Sequence, residues 1–158
     1  MTLRFHTPLT PDEQLAHGLD TAQPLAIADK VRFAELDAQD HVNNKAYLTW
    51  FESLRIAYYD HLCASHYAGM PRPRILLHSL TLRFVKEMLR DETYITTARV
   101  SAFRTSSYTM DQQLWAGNLR ARMSVVVVLG QPDGPARVPL PDGLRQQFVT
   151  LDEASDER

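Results

Sequence analysis

The chain of 158 residues holds a single cysteine, Cys63. One thiol excludes an internal disulfide framework and fits a reducing compartment. Neither sign of charge dominates, with 17 Lys plus Arg against 19 Asp plus Glu, so there is no electrostatic case for a nucleic-acid or membrane-surface partner. No apolar run is long enough to cross a bilayer, and the opening MTLRFHTPLTPDEQ lacks the apolar middle of a secretory signal. The location expected from this is cytoplasmic. The G-x-S-x-G elbow of serine hydrolases, the G-x-G-x-x-G dinucleotide loop and the phosphate-binding P-loop are also missing. Asp60, His61, Cys63 and His66 invite a metal, but their spacing follows no zinc pattern and a helix end points such side chains apart. Neither a metal nor another cofactor is expected.

The length suits one domain with one core. Residues 1–27 read as a lead-in, in which Thr10-Pro11-Asp12-Glu13 forms a capping box and predicts a short helix from Pro11 to His17, with Gly18 as its stop. Residues 28–150 carry the domain. The acidic end, 151–158, reads as a frayed tail.

The most informative stretch runs from Val31 to Leu62. Val31 and Phe33 alternate with polar or small neighbours and predict a strand with one buried face, ending in the acids Glu35 and Asp37. From Lys45 the period lengthens: Tyr47, Trp50, Phe51, Leu54, Ala57, Tyr58 and Leu62 recur at helical spacing. So little of that helix is polar that burial on most sides is expected. Asn43 and Asn44 stand at its start, where asparagine serves as an N-cap. Glu52, three residues before Arg55, reads as half of a helical ion pair. Further strands are predicted at 74–85, with Leu76, His78, Leu80, Leu82 and Phe84 on one face, and at 93–103, 107–115 and 119–129. Gly117-Asn118 supplies a hairpin turn between the last two. The fold class is therefore α+β: about five antiparallel strands curled around one long helix. Such a curled sheet leaves an open edge, which two copies close by pairing, so a homodimer or dimer of dimers is expected.

A carboxylate one loop away from a helix N-terminus has chemical meaning. The helix start offers backbone donors for an oxyanion, and the acid offers a base or nucleophile. Acyl transfer needs both. At these same residues a resemblance emerges. Val31-Arg32-Phe33, Glu35, Asp37, His41-Val42-Asn43-Asn44, Tyr47, Trp50-Phe51-Glu52 and Arg55 resemble, in identity and order, the signature of the 4-hydroxybenzoyl-CoA thioesterase family of hot-dog acyl-CoA thioesterases. The likeness is to the branch whose turn reads HVNN, and with the later strand pattern it covers about Ala28 to Phe148. The resemblance implies a hot-dog fold with the active site at a dimer interface. It implies that Asp37 is the catalytic carboxylate and that the Asn44 N–H polarises the thioester carbonyl of an acyl-CoA substrate. One departure is visible: Asp40 stands where the family often has glycine.

The remaining candidates each carry an ordinary reading beside the functional one. His41 is an acid/base candidate or a packed turn residue. Arg104, Thr105 and Ser106 sit where the family places part of its coenzyme A contacts, and are otherwise a solvated turn. Tyr47 and His78 are candidates to line an acyl pocket, or plain core residues. The leading expectation is an acyl-CoA thioesterase. Two alternatives are hydrolysis of acyl groups on acyl carrier protein, and an acyl-CoA-binding module without turnover.

Overall fold

The structure, a computed structural model, describes all residues from 1 to 158. In chain order it contains α1 (Pro11–Ala16), β1 (Leu25–Lys30), α2 (Asn44–Tyr58), β2 (Arg74–Phe84), β3 (Thr93–Phe103), β4 (Ser107–Trp115), β5 (Leu119–Gly130), α3 (Asp142–Thr150) and β6 (Ser155–Asp156). The first five strands form one antiparallel sheet in the order β1-β3-β4-β5-β2, and the two-residue β6 lies parallel to β3. This is the α+β architecture expected, with one additional short strand.

Alternation in β3 to β5 sends Val100, Met110, Leu114, Met123, Val125 and Val127 toward α2, whose Phe51, Leu54 and Tyr58 close the core. One polar side chain spans that contact. The buried Gln112 donates to the Phe51 carbonyl at 2.8 Å and accepts from Arg55 at 3.0 Å. Arg55 therefore turns inward over the sheet, and its expected ion pair with Glu52 does not form. The helix is also less enclosed than its composition suggested. Leu48 and Ile56 are exposed, because a single sheet covers only one flank.

Two strand assignments shift. The first strand lies earlier than the Val31–Phe33 alternation indicated, ending at Lys30, which pairs with Thr93. Phe33 is 76% exposed and opens a 3-10 turn, Phe33–Glu35. The Arg32 N–H goes to the Glu35 carboxylate at 2.8 Å rather than to a neighbouring strand, so local capping wins over alternation. In β2 the register slips between Leu77 and Ser79. The extra residue at His78 reverses the parity of the strand, so Leu76 no longer shares a face with Leu80 and Leu82.

Both termini are structured. Thr10 and Glu13 form the expected capping box on α1. The lead-in runs along β1, with His6 N–H donating to the Ala28 carbonyl and Leu9 N–H to that of Ala26. Its Leu9 and Leu19 join Ala26, Ala28, Ile95 and Trp115 in a second apolar cluster outside the main core. The acidic end is not frayed. Asp152 is only 1% exposed, and its Oδ2 accepts from the Tyr58 hydroxyl at 2.6 Å and from Val100 N–H at 2.8 Å. Arg99 donates to the Asp152 carbonyl at 2.7 Å. Charge alone suggested a loose tail, but these donors give the acid a buried seat.

Removing that acceptor, as in Asp152→Ala, strands the Tyr58 hydroxyl and the Val100 N–H. The expected cost is about 2–5 kcal/mol in urea unfolding. Burial also pushes the Asp152 carboxyl above its ordinary value, its donors only partly offsetting this. A carboxyl that holds its proton more tightly when folded weakens the native state as pH rises from the ordinary carboxylate range through the raised value. Across that window the stability difference should therefore move in favour of Asp152→Asn over the unchanged chain, then level off. Unfolding curves over a pH series read this directly.

Candidate active site

Residues 35–44 form a closed loop leading into α2. Asn43 builds its base: the side-chain oxygen accepts from Ala46 N–H at 3.0 Å, capping the helix. The Asn43 N–H and side-chain amide both donate to the Glu35 carbonyl, at 2.8 and 3.0 Å. Leu36 and Val42 bridge above that base. Asp37 N–H then donates to the His41 carbonyl at 2.7 Å, and Asp40 N–H to the Asp37 carbonyl at 3.2 Å.

The Asp37 carboxylate is oriented by its own turn. Its Oδ1 accepts from Gln39 N–H at 2.8 Å and from His41 N–H at 3.1 Å, while Oδ2 has no protein partner and faces solvent. Asn44 is the first residue of α2, and its N–H meets no acceptor in the chain. A fixed carboxylate with one free oxygen and a free amide at the positive end of a helix thus share one loop. Such a pair can direct a water or carboxylate oxygen at a carbonyl carbon and receive the charge on its oxygen.

Asp40 occupies the left-handed region, φ +63°. Glycine takes that conformation freely, and aspartate is among the few other residues that do so routinely. The departure from the family's frequent glycine is therefore conformationally conservative. It adds a carboxylate 3.9 Å from Arg90.

His41 bears on the same loop, with Nδ1 3.3 Å from the Glu87 carboxylate. The 85–92 segment that carries Glu87 is itself fastened. The buried Arg120 donates to the Glu87 carbonyl and to both oxygens of Glu92, at 2.7 to 2.8 Å. Tyr47 lies beneath the loop rather than on an accessible wall: it is buried against Trp50 and Phe84, and its hydroxyl accepts from Met88 N–H at 3.2 Å. The Val42 N–H in turn donates to the Met88 carbonyl at 3.1 Å.

A second group gathers elsewhere. His78, at the bulge of β2, and Arg104, in the turn after β3, line one cavity of about 300 Å³ together with Arg137 and Glu157. β2 connects the two regions, its Phe84 end packing on Tyr47 and its His78 lining the cavity. Thr105 and Ser106 serve the turn through their carbonyls, which accept from Leu140 and Leu129 N–H. Arg137 and Arg120 escaped the sequence reading. Arg137 is the one charge between Pro135 and Pro139, a faint signal. Arg120 sits on the outward-reading side of a strand and looks like an ordinary surface cation. The residues that invited a metal find separate surroundings: Asp60 pairs with Arg72, His66 with Gln147, and burial pushes the Cys63 thiol up to about 12.

A long helix laid on an antiparallel sheet, its N-terminus beside a fixed acid, defines a hot-dog protein of the thioesterase type. Residues 31–148 match the thioesterase-like superfamily, and the chain belongs to it; it is a thioester hydrolase. It is similar to a thioesterase-superfamily structure from Jannaschia sp. CCS1, with 38% identity and a TM-score of 0.88 over 97% of this chain and 98% of that one. Two more distant structures share the fold. One is a thioesterase from Thermus thermophilus complexed with coenzyme A and Zn (23% identity, TM-score 0.69, 83% and 96% covered). The other is a gentisyl-coenzyme A thioesterase (17%, 0.66, 78% and 98%). No curated protein matches the chain.

The backbone at position 40 gives a direct check on the loop. Asp40→Gly should keep the fold, whereas the β-branched Asp40→Val should lose about 1–2 kcal/mol in thermal or urea unfolding, the cost of a left-handed residue with a bulky Cβ.

Proposed function

We propose that the protein hydrolyses the thioester of a small-to-medium acyl-CoA to free acid and coenzyme A, as a member of the HVNN-type branch of the 4-hydroxybenzoyl-CoA thioesterases. The observation that carries this reading is the pairing of a free Asn44 N–H with an Asp37 carboxylate that is held by one oxygen and open at the other. Either Asp37 takes the proton of a water that adds to the thioester carbon, or Asp37 attacks that carbon itself and expels the thiolate, leaving an anhydride that water then opens. The Asn44 amide receives the charge on the carbonyl oxygen, the C–S bond breaks, and the sulfur leaves as a thiolate that takes up a proton. The coenzyme A in the Thermus structure supports the substrate class. The guanidinium groups of Arg104 and Arg137, which line this cavity beside His78 and Glu157, suit its phosphates.

The protein acts as a homodimer joined along β2. Leu77, Leu80, Phe84 and Val85 are exposed along and just beyond this edge strand, and Leu48 and Ile56 on the open flank of α2. Apolar surface at a sheet edge is what a second copy covers.

Asp37→Asn preserves an oxygen for the Gln39 and His41 amides, so the fold should stand while hydrolysis falls by about 10²-fold or more. Thiol release from a panel of short, aromatic and long acyl-CoAs, with an acyl carrier protein thioester alongside, measures this. Turnover retained by the Asn variant removes Asp37 from the mechanism. Binding without release in the unchanged protein makes it a non-catalytic binder, and release only from the carrier protein moves the substrate class. Size-exclusion chromatography with light scattering should give at least a dimer, and a strict monomer overturns the edge pairing.

A further inference from the structure

Glu35 takes no part in the proposed reaction, yet both of its carboxylate oxygens and its backbone carbonyl are engaged. Its Oε2 accepts from the Trp50 indole N–H at 2.6 Å, and its Oε1 from Arg32 N–H at 2.8 Å. Its carbonyl accepts both donors of Asn43, at 2.8 and 3.0 Å. Trp50 is a firm post. It is buried, stacks on Tyr94 with ring centroids 4.3 Å apart, and leans on Tyr47 at 5.4 Å. Trp50 also lies on α2, nearly two helical turns beyond Asn43. Glu35 therefore grips the same helix at two points, by its carbonyl at the cap and by its carboxylate farther along.

We infer that Glu35 is a positioning residue that fixes the Asp37 carboxylate relative to the Asn44 amide by fastening the turn before the loop to α2 at both the Asn43 cap and Trp50. This rests on the roles proposed for Asp37 and Asn44. The geometry carries it because Asp37 follows Glu35 by two residues and has no side-chain contact outside its own turn. Its place relative to the helix is set by the loop's base. With the Trp50 grip lost, Asn43 is the turn's one remaining hydrogen-bonded tie to α2. A displacement of about 1 Å is enough to cost up to ~10²-fold in rate. A mere cap of a three-residue turn would instead affect stability and leave the chemical step untouched.

The test compares Glu35→Ala, Glu35→Gln, Trp50→Phe and Asp37→Asn on an acyl-CoA that the unchanged protein turns over, with kcat and KM measured separately and thermal melts as a fold control. Glu35→Ala should lower kcat about 10-fold or more with KM changed less than about twofold, since orientation and not binding is lost. Glu35→Gln keeps an oxygen for the indole N–H and should recover kcat to within about threefold. Trp50→Phe keeps an aromatic ring without the donor and should follow the Ala variant in direction, which gives a reading even if Glu35→Ala does not fold. An inactive Asp37→Asn together with unchanged kcat in Glu35→Ala or Trp50→Phe overturns the positioning role and leaves Asp37 in place. A rise in KM equal to the fall in kcat overturns it in favour of a substrate contact. Activity retained by Asp37→Asn removes the roles on which the inference rests, and the inference with them.

Discussion

The cap that Asn43 places on α2 is the constraint on which the rest of the site depends. A helix start has unpaired N–H groups, and here Asn43 satisfies that of Ala46 while its own two donors close the loop against Glu35. With the cap filled from the side, the Asn44 amide stays unoccupied. Everything after that residue runs as helix into the core; everything before it is a tight polar turn. The proposed catalytic pair therefore sits where the chain changes from one regime to the other, on backbone fixed by a hydrophobic helix rather than on a freely moving loop.

The same economy holds around the loop. Met88 joins Tyr47 to Val42, and Arg120 of β5 holds the segment that carries Met88. The seat of the loop is thus built from α2, β5 and the 85–92 connection. None of these residues needs to touch a substrate, but each limits how far residues 37–44 can shift.

Much of this was legible in the sequence because it is local. Helical spacing from Tyr47 to Tyr58, the asparagine cap, the capping box at Thr10 and the strands from Thr93 onward are set by near neighbours and by periodicity. What was not legible depends on distant partners or on a single inserted residue. The Val31–Phe33 alternation imitated a strand, but the Glu35 side chain captured the Arg32 amide and closed a turn. One bulge at His78 moved Leu76 to the opposite face from Leu80. Arg55 left Glu52 for Gln112, 57 residues away. Asp152 looked like tail until Tyr58 and Val100 supplied donors. At the site, the motif named Asp37 and Asn44, whereas the supporting Arg120 and the Arg137 beside His78 and Arg104 become visible only when strands far apart in sequence are laid side by side.

The two borders of the sheet are finished differently. Along β1 the N-terminal residues already occupy backbone positions at Ala26 and Ala28, whereas β2 carries exposed leucines with nothing of this chain beside them. A strip with one sealed margin and one receptive margin cannot propagate: once two receptive margins meet, no vacancy is left for a third. On the pairing proposed along β2, the sheet would therefore join two copies and offer no edge from which a fibre could grow.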